Sequence, residues 1–248
     1  MNTAFDLTRL GHFIKRQLYM NSSSLWVGTV AVTGFLLVAS VLLPYFKGAN
    51  SVPVLVNLFG TVFFISGFVL TSKVYAEMQS PQQSYLFLAL PVSAAEKLVG
   101  AWLISSPMFI AAAGIGFSVL MLISALMAGE SAFAFFQSKY LFLNLRDVGA
   151  YMVFQTVFLL GACAFKGNNF MKTLLAAFVF VVVLVGYTAL FGYLLFGSAG
   201  PAFTVEDSKR MEDSFGFVVK SVLPLLFWFV LPLFLLVVSF FKLKERQV

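Results

Sequence analysis

The sequence is poor in charge, cysteine and histidine. Only 10% of its 248 residues are charged, against roughly 25% in an ordinary soluble domain, while 60% are hydrophobic. A soluble fold has too little interior to hide so much apolar surface, so the lipid bilayer must be part of its solvent. The single cysteine, Cys163, excludes an internal disulfide, and the single histidine, His12, excludes a histidine-cluster metal site.

Motifs for catalysis and nucleotide binding are absent from the sequence. No Walker A phosphate-binding loop occurs, since the nearest text, GNNFMKT beginning at Gly167, lacks the second glycine and has the wrong spacing. HExxH, CxxC and GxSxG are missing too. We therefore expect a chain that is not an enzyme and binds no metal or cofactor itself.

Six apolar segments are long enough to cross a bilayer, which takes about 20 helical residues. None contains Asp, Glu, Lys, Arg or His. The third contains Pro107, which favours a kink or a start before the membrane. The sequence predicts an all-α integral membrane protein in which residues 25–248 form a six-helix transmembrane domain. The predicted spans are Leu25–Tyr45, Pro53–Thr71, Leu98–Met127, Val148–Phe165, Thr173–Phe196 and Ser221–Phe241.

Basic residues are unevenly distributed between the two sides of the predicted membrane domain. Six spans place both termini on one side, and that side has ten Lys and Arg residues against six on the other. The positive-inside rule then predicts that both termini are cytoplasmic. Acidic residues are divided four to six in the opposite sense, so the predicted cytoplasmic side has a net charge of +6 and the other side has zero. Because topology then accounts for the whole net charge, no basic patch remains for nucleic acid.

Residues 1–24 precede the first span and contain an amphipathic pattern. The apolar face consists of Leu7, Leu10, Ile14 and Leu18, and the opposite face consists of Arg9, His12 and Arg16. This pattern predicts an interfacial helix along the cytoplasmic leaflet, with its basic face towards the lipid headgroups. The NSSS sequence at residues 21–24 is expected to form the turn into the first span.

The loop between the second and third predicted spans, at about residues 72–97, is the largest predicted cytoplasmic piece. Ser93 and Glu96 have the spacing of a capping box, in which each side chain bonds the backbone amide of the other. Pro91 resists helix continuation from upstream. One helix should therefore end near Leu90, and another should start at Ser93 and run into the membrane. We expect an exposed apolar set that needs a partner or the membrane, formed by Tyr85, Phe87, Leu88 and Leu90.

The stretch SYLFLALPVSAAEKLVGAWL resembles the cytoplasmic loop of bacterial ABC-2-type transporter permeases, with their LLxLPVS turn, polar helix start and third span. The layout is similar as well, with an N-terminal elbow helix, six spans and both termini inside. The resemblance implies a permease subunit of an ATP-driven exporter in the bacterial cytoplasmic (inner) membrane. A second permease copy or a homologue would complete the translocation path, and a separate cytosolic ABC ATPase would bind ATP and Mg²⁺.

The same resemblance implies that this loop couples the ATPase to the spans. Pro91, Ser93 and Glu96 would set the angle of the third span. Residues 205–220 would correspond to the short re-entrant helices that the family has between its last two spans. The candidates for contact with the ATPase are Glu77, Met78, Gln79, Ser80, Gln82, Gln83, Tyr85 and Phe87.

Neutral polar residues inside the predicted spans are candidates for a substrate path, although hydrogen bonds between helices explain each of them too. These residues are Asn57, Ser105, Ser106 and Gln155. Two other classes of function stay open. One is a secondary carrier or channel not driven by ATP, which would lack the usual intramembrane carboxylate for proton coupling. The other is an intramembrane enzyme with an outer-face centre built from residues such as Glu130, Asp147 or Lys220.

Overall fold

Helices make up nearly all of the structure outside short turns. The computed structural model describes residues 5–79, 81–129, 145–196, 216 and 218–246, and no strand occurs in these ranges. The helices are α1 (Leu7–Met20), α2 (Ser22–Lys47), α3 (Val52–Lys73), α4 (Pro81–Leu88), α5 (Ala94–Leu103), α6 (Phe109–Met127), α7 (Leu145–Ala164), α8 (Asn169–Phe196) and α9 (Leu231–Glu245). Shorter helical turns are Gly48–Ser51, Ala76–Gln79, Ile104–Met108, Val218–Val222, Leu223–Leu225 and Leu226–Val230.

Within the described residues, six helical stretches are long and apolar enough to cross a membrane, in agreement with the six predicted spans. Their limits lie within a few residues of the predicted ones, because apolar composition marks where a chain can enter lipid. They are Ser22–Lys47, Val52–Lys73, Ala94–Met127, Leu145–Ala164, Asn169–Phe191 and Lys220–Glu245. The re-entrant segment expected at 205–220 lies almost entirely outside the described residues.

The third span is one long helix interrupted by a π turn at Ile104–Met108, which contains Pro107. Proline has no backbone N–H and cannot make the usual helical hydrogen bond, so a local change of helical pitch at this position is expected. Downstream of the proline, the N–H of Phe109 bonds the carbonyl of Ser106. The π turn therefore lets the span continue from α5 into α6.

Buried side chains form two clusters, one within the spans and one at the end of the bundle that holds α4. We call the second group the loop-side cluster; its members include Phe13, Tyr75, Phe87, Leu98 and Cys163. The fourth span, α7, is central, because 50% of its most apolar stretch is buried, against 0% for the fifth and sixth spans. The loop between α3 and α5 is thus part of a packed core and does not stand apart from the bundle.

Helix α1 packs against α5, and its buried face is rotated relative to the predicted one. Leu10, Phe13 and Gln17 are buried, whereas Leu7 is exposed. The two helices meet closely at Gly100, where a Cβ atom would come within 2.7 Å of the Phe13 ring. A larger residue at this position would push α1 away from α5.

The turn between α1 and α2 is shorter than predicted. Helix α1 ends at Met20 and α2 begins at Ser22, so Asn21 alone separates them. The Asn21 side chain donates to the carbonyl of Gln17 at 3.0 Å, which closes the end of α1. Since the three serines of the NSSS sequence already belong to α2, α1 is tied directly to the start of the first span.

Candidate functional site

The loop between α3 and α5 has the predicted capped helix start. The Ser93 hydroxyl accepts from the N–H of Glu96 at 3.2 Å, and Glu96 Oε2 accepts from the N–H of Ser93 at 2.8 Å. Helix α4 ends at Leu88, and α5 begins at Ala94. The capping box and the helix boundary near Pro91 are confirmed, and together they fix the direction in which the third span starts.

Glu96 also binds the start of α1, which the sequence alone did not indicate. Its carboxylate is fully buried, and Oε1 accepts from the N–H of Asp6 at 2.8 Å and from Arg9 Nη2 at 3.0 Å. Asp6 caps α1 by accepting from the N–H of Thr8 at 2.8 Å, and this hydrogen bond holds the pKa of Asp6 below its ordinary value. One carboxylate therefore joins the first turns of α1 and α5.

A second ion pair fastens the other end of α1 to the loop. Arg16 Nη1 lies 2.9 Å from Glu77 Oε2, and the neighbouring Gln17 donates to the carbonyl of Val74 at 2.7 Å. Arg9 and Arg16, which were predicted to face lipid headgroups, pair with the buried carboxylates of Glu96 and Glu77. Helix α1 is therefore clamped to the loop at both ends.

Phe87 was predicted to be exposed, and this prediction is wrong. Its ring is fully buried and makes edge-to-face contacts with Phe13 and Tyr75, each at 6.1 Å between centroids. Leu90 packs against the same cluster, while the side chain of Leu88 lies outside the described residues. Phe87 and Leu90 thus face the protein, where α1, α5 and the segment that follows α3 provide an apolar surface.

Burial also divides the residues predicted to contact an ATPase. Glu77, Met78 and Phe87 are buried, so they have almost no surface to offer a partner and instead hold the loop to the bundle. Gln79 is half-buried, and Ser80 and the side chain of Gln82 lie outside the described residues. The exposed members are Gln83 and Tyr85, which is 79% exposed. Leu86, which was not predicted, is 65% exposed beside them.

Lys97 is one of the ten basic residues counted on the predicted cytoplasmic side, and the sequence analysis did not predict its burial. Its side chain is fully buried in the loop-side region of the structure. The helical period contained a signal for this burial, because Ala94, Lys97, Leu98 and Ala101 follow one face of α5 and all four are buried. A lysine on an apolar face indicates a specific internal contact more than a topological role.

The polar residues of the third and fourth spans bond one another, as expected for hydrogen bonds between helices, and their role in a substrate path stays a prediction. Ser105, Ser106 and Gln155 are fully buried. The Ser106 hydroxyl donates to the Gln155 side-chain oxygen, and the Gln155 amide donates to the Ser105 hydroxyl. Asn57 is separate from this group, on the exposed side of α3. Polar groups in hydrocarbon favour such internal pairing because no water competes for them.

Tyr151 completes this polar group at the π turn. Its hydroxyl donates to the carbonyl of Ser105 at 2.7 Å, next to the position where Pro107 interrupts the helix. The ring lies against Gly67, where a Cβ would come within 2.4 Å of it. Tyr151 therefore gives the interrupted third span a hydrogen-bond partner on the fourth span.

Removing the Tyr151 hydroxyl should weaken the join between these two spans. Tyr151→Phe keeps the ring and loses one buried hydrogen bond, so we expect the free energy of unfolding to fall by about 1 kcal/mol. Denaturant titration of the purified protein measures the change. Tyr45→Phe removes the hydroxyl of an exposed tyrosine and should have no effect. Equal stability of the two variants would contradict a role for the Tyr151 hydrogen bond.

No family model matches the chain, and neither the curated proteins nor the solved structures yield a match. The fold itself defines the class: an all-helical multi-pass membrane protein with six candidate spans. Its candidate functional site is the loop between the second and third spans. This site combines the capped start of α5, the N-terminal helix α1 held by two ion pairs, and an exposed tip on α4 formed by Tyr85 and Leu86.

Proposed function

We propose that this chain is the permease subunit of an ABC-2-type ATP-driven exporter, and that the loop from α3 to α5 receives the force of a separate ATPase. The observation that carries the proposal is the contrast within α4. Tyr85 and Leu86 are exposed, while Phe87, one residue further, is locked in the loop-side cluster. An exposed apolar tip on a rigid base suits docking to a partner that pushes on it.

The contacts of the loop give this force two routes into the membrane. Helix α4 leads through the short turn at residues 89–93 into α5, the start of the third span. Glu96 and Arg9 connect the same point to α1, which continues into the first span after one residue. Movement of α4 would therefore shift two spans together, as a rigid coupling element requires.

The missing phosphate-binding loop and the exposed apolar residues of α1 support the rest of the proposed assembly. Because the sequence has no phosphate-binding loop, ATP and Mg²⁺ would bind to the ATPase subunit, which leaves this chain without catalysis. A second permease copy or a homologue would complete the path. We place the protein in a bacterial cytoplasmic membrane with both termini inside. Exposed apolar residues of α1, such as Leu7, Tyr19 and Met20, support its position as an elbow helix on the lipid surface.

Site-specific photo-crosslinking in the native host tests this function. A photo-crosslinking amino acid at Tyr85 should join the chain to a cytosolic protein that carries a Walker A motif, identified by mass spectrometry. Tyr45 is the matched control. It is also an exposed tyrosine, but it lies near the C-terminal end of α2, whereas α1 and the loop lie at the N-terminal end of that helix. Crosslinks to such an ATPase from Tyr45 and not from Tyr85 would contradict both the docking site and the orientation.

Reconstitution separates this function from that of a secondary carrier or channel, the alternative. The chain with its ATPase should transport only when ATP is hydrolysed. Transport by the purified chain alone in lipid vesicles would favour the carrier or channel instead.

A further inference from the structure

Lys97 is a buried lysine that makes no ion pair with any acid in the described part of the chain. Its side chain has 0% exposure, whereas lysines are almost never fully buried without a partner. Among the described residues, no carboxylate lies within ion-pair distance of its ammonium group. Burying an unpaired charge costs free energy, so the contacts that the Lys97 side chain makes indicate its role.

The contacts of Lys97 all involve the loop-side cluster. Its Nζ donates to the backbone carbonyl of Phe87 at 3.1 Å and lies 5.0 Å from the centroid of the Phe87 ring. The backbone carbonyl of Lys97 accepts from the hydroxyl of Tyr75 at 3.2 Å. Lys97 thus joins α5 to the last turn of α4 and to the segment that follows α3.

Phe87 lies where α4 most needs an outside partner. The last carbonyls of a helix have no hydrogen-bond donor within the helix, and a cation near them also interacts favourably with the helix dipole. Helix α4 has only eight residues, Pro81–Leu88, and so short a helix is not stable by its own hydrogen bonds. The ammonium group of Lys97 supplies both the missing donor and the cation.

We infer that Lys97 is the positioning residue that holds α4 against the third span and thereby fixes where the Tyr85–Leu86 tip points. The role of that tip in docking rests on the proposed function, whereas the hold of Lys97 on α4 does not. Tyr85 and Leu86 directly precede Phe87 in the same helix. Because Lys97 contacts both the carbonyl and the ring of Phe87, it fixes the orientation of the tip relative to α5.

A positioning role and a general stabilising role differ in what the replacement of Lys97 changes. Methionine has a similar length and no charge, so Lys97→Met removes the cost of burying the charge together with the hydrogen bond to Phe87, and these two effects on the stability of the bundle oppose each other. Lys97→Met should therefore leave the bundle intact and release α4 alone. If Lys97 served the whole bundle, the central span α7 would loosen as well.

Hydrogen exchange of the full-length protein in lipid nanodiscs separates the two roles. In Lys97→Met, amides of residues 83–90 should exchange at least about tenfold faster than in the wild type, because α4 loses a charge-assisted hydrogen bond. Exchange in α7 should not rise, and the thermal midpoint should not fall. Lys73→Met is the matched control: it removes an exposed lysine near the end of α3 and should leave residues 83–90 unchanged.

Two outcomes would overturn the positioning role of Lys97. One is unchanged exchange over residues 83–90 in Lys97→Met, and the other is an equal loss of protection in α4 and α7. Affinity for the ATPase is measured separately on the wild type and on Lys97→Met. If the wild type binds no ATPase, the proposed function fails, while the exchange data still decide what Lys97 does. If the wild type binds, Lys97→Met should bind at least about tenfold more weakly.

Discussion

Glu96→Ala should lower the free energy of unfolding by about 3 kcal/mol, because one buried carboxylate accepts hydrogen bonds from three separate groups. Two are the backbone amides of Ser93 and Asp6, and the third is the guanidinium of Arg9. Without Glu96, the two amides lose their acceptor, and Arg9 loses its ion pair at 3.0 Å while its pair with Asp6 at 3.7 Å stays. Denaturant titration of the purified protein measures the loss, and proteolysis near residue 6 should show that α1 detaches.

Glu245→Ala is the control for this change. Glu245 pairs with Lys242 at 2.8 Å, but both side chains are exposed, so solvent screens the pair and replaces it easily. We expect little change in stability from Glu245→Ala. Equal stability of the Glu96 and Glu245 variants would show that the contacts of Glu96 do not hold α1 to α5.

If the chain couples to an ATPase as proposed, the double variant Tyr85→Ala, Leu86→Ala should weaken binding of that ATPase by at least about thirtyfold, equivalent to about 2 kcal/mol. Both side chains are exposed, so their removal takes away contact area without leaving a cavity in the protein. Phe87→Ala is unsuitable for this purpose, because it would empty part of the loop-side cluster and reduce binding through loss of structure. Biolayer interferometry with the purified subunits measures the affinity.

The matched control for this double variant is Tyr45→Ala, Phe46→Ala. These residues are also adjacent, apolar and exposed, but they lie near the end of α2 that is remote from α4. The control should bind the ATPase like the wild type. Wild-type affinity in the Tyr85, Leu86 variant would show that α4 is only a connector between two spans and not a docking site.

The sequence by itself determined the six spans, the helix start after Ser93 and the break near Pro91. Each of these depends on residues close together in the chain. An uncharged apolar run of about 20 residues has few stable places outside a membrane, and a capping box needs only Ser93 and Glu96, three positions apart. Signals of this kind do not depend on how the helices later pack.

Only the tertiary structure decided which helical faces meet. The helical period predicts that α1 has two faces, but whether lipid or a buried carboxylate lies opposite the basic one depends on residues far along the chain. Arg9 and Glu96 are 87 positions apart, and Ser106 and Gln155 are 49 apart. Phe87 is buried and Tyr85 is exposed for the same reason, since α1, α5 and the segment that follows α3 cover one side of α4. Apolar and polar character are properties of a residue, whereas burial and pairing are properties of the packing that brings distant residues together.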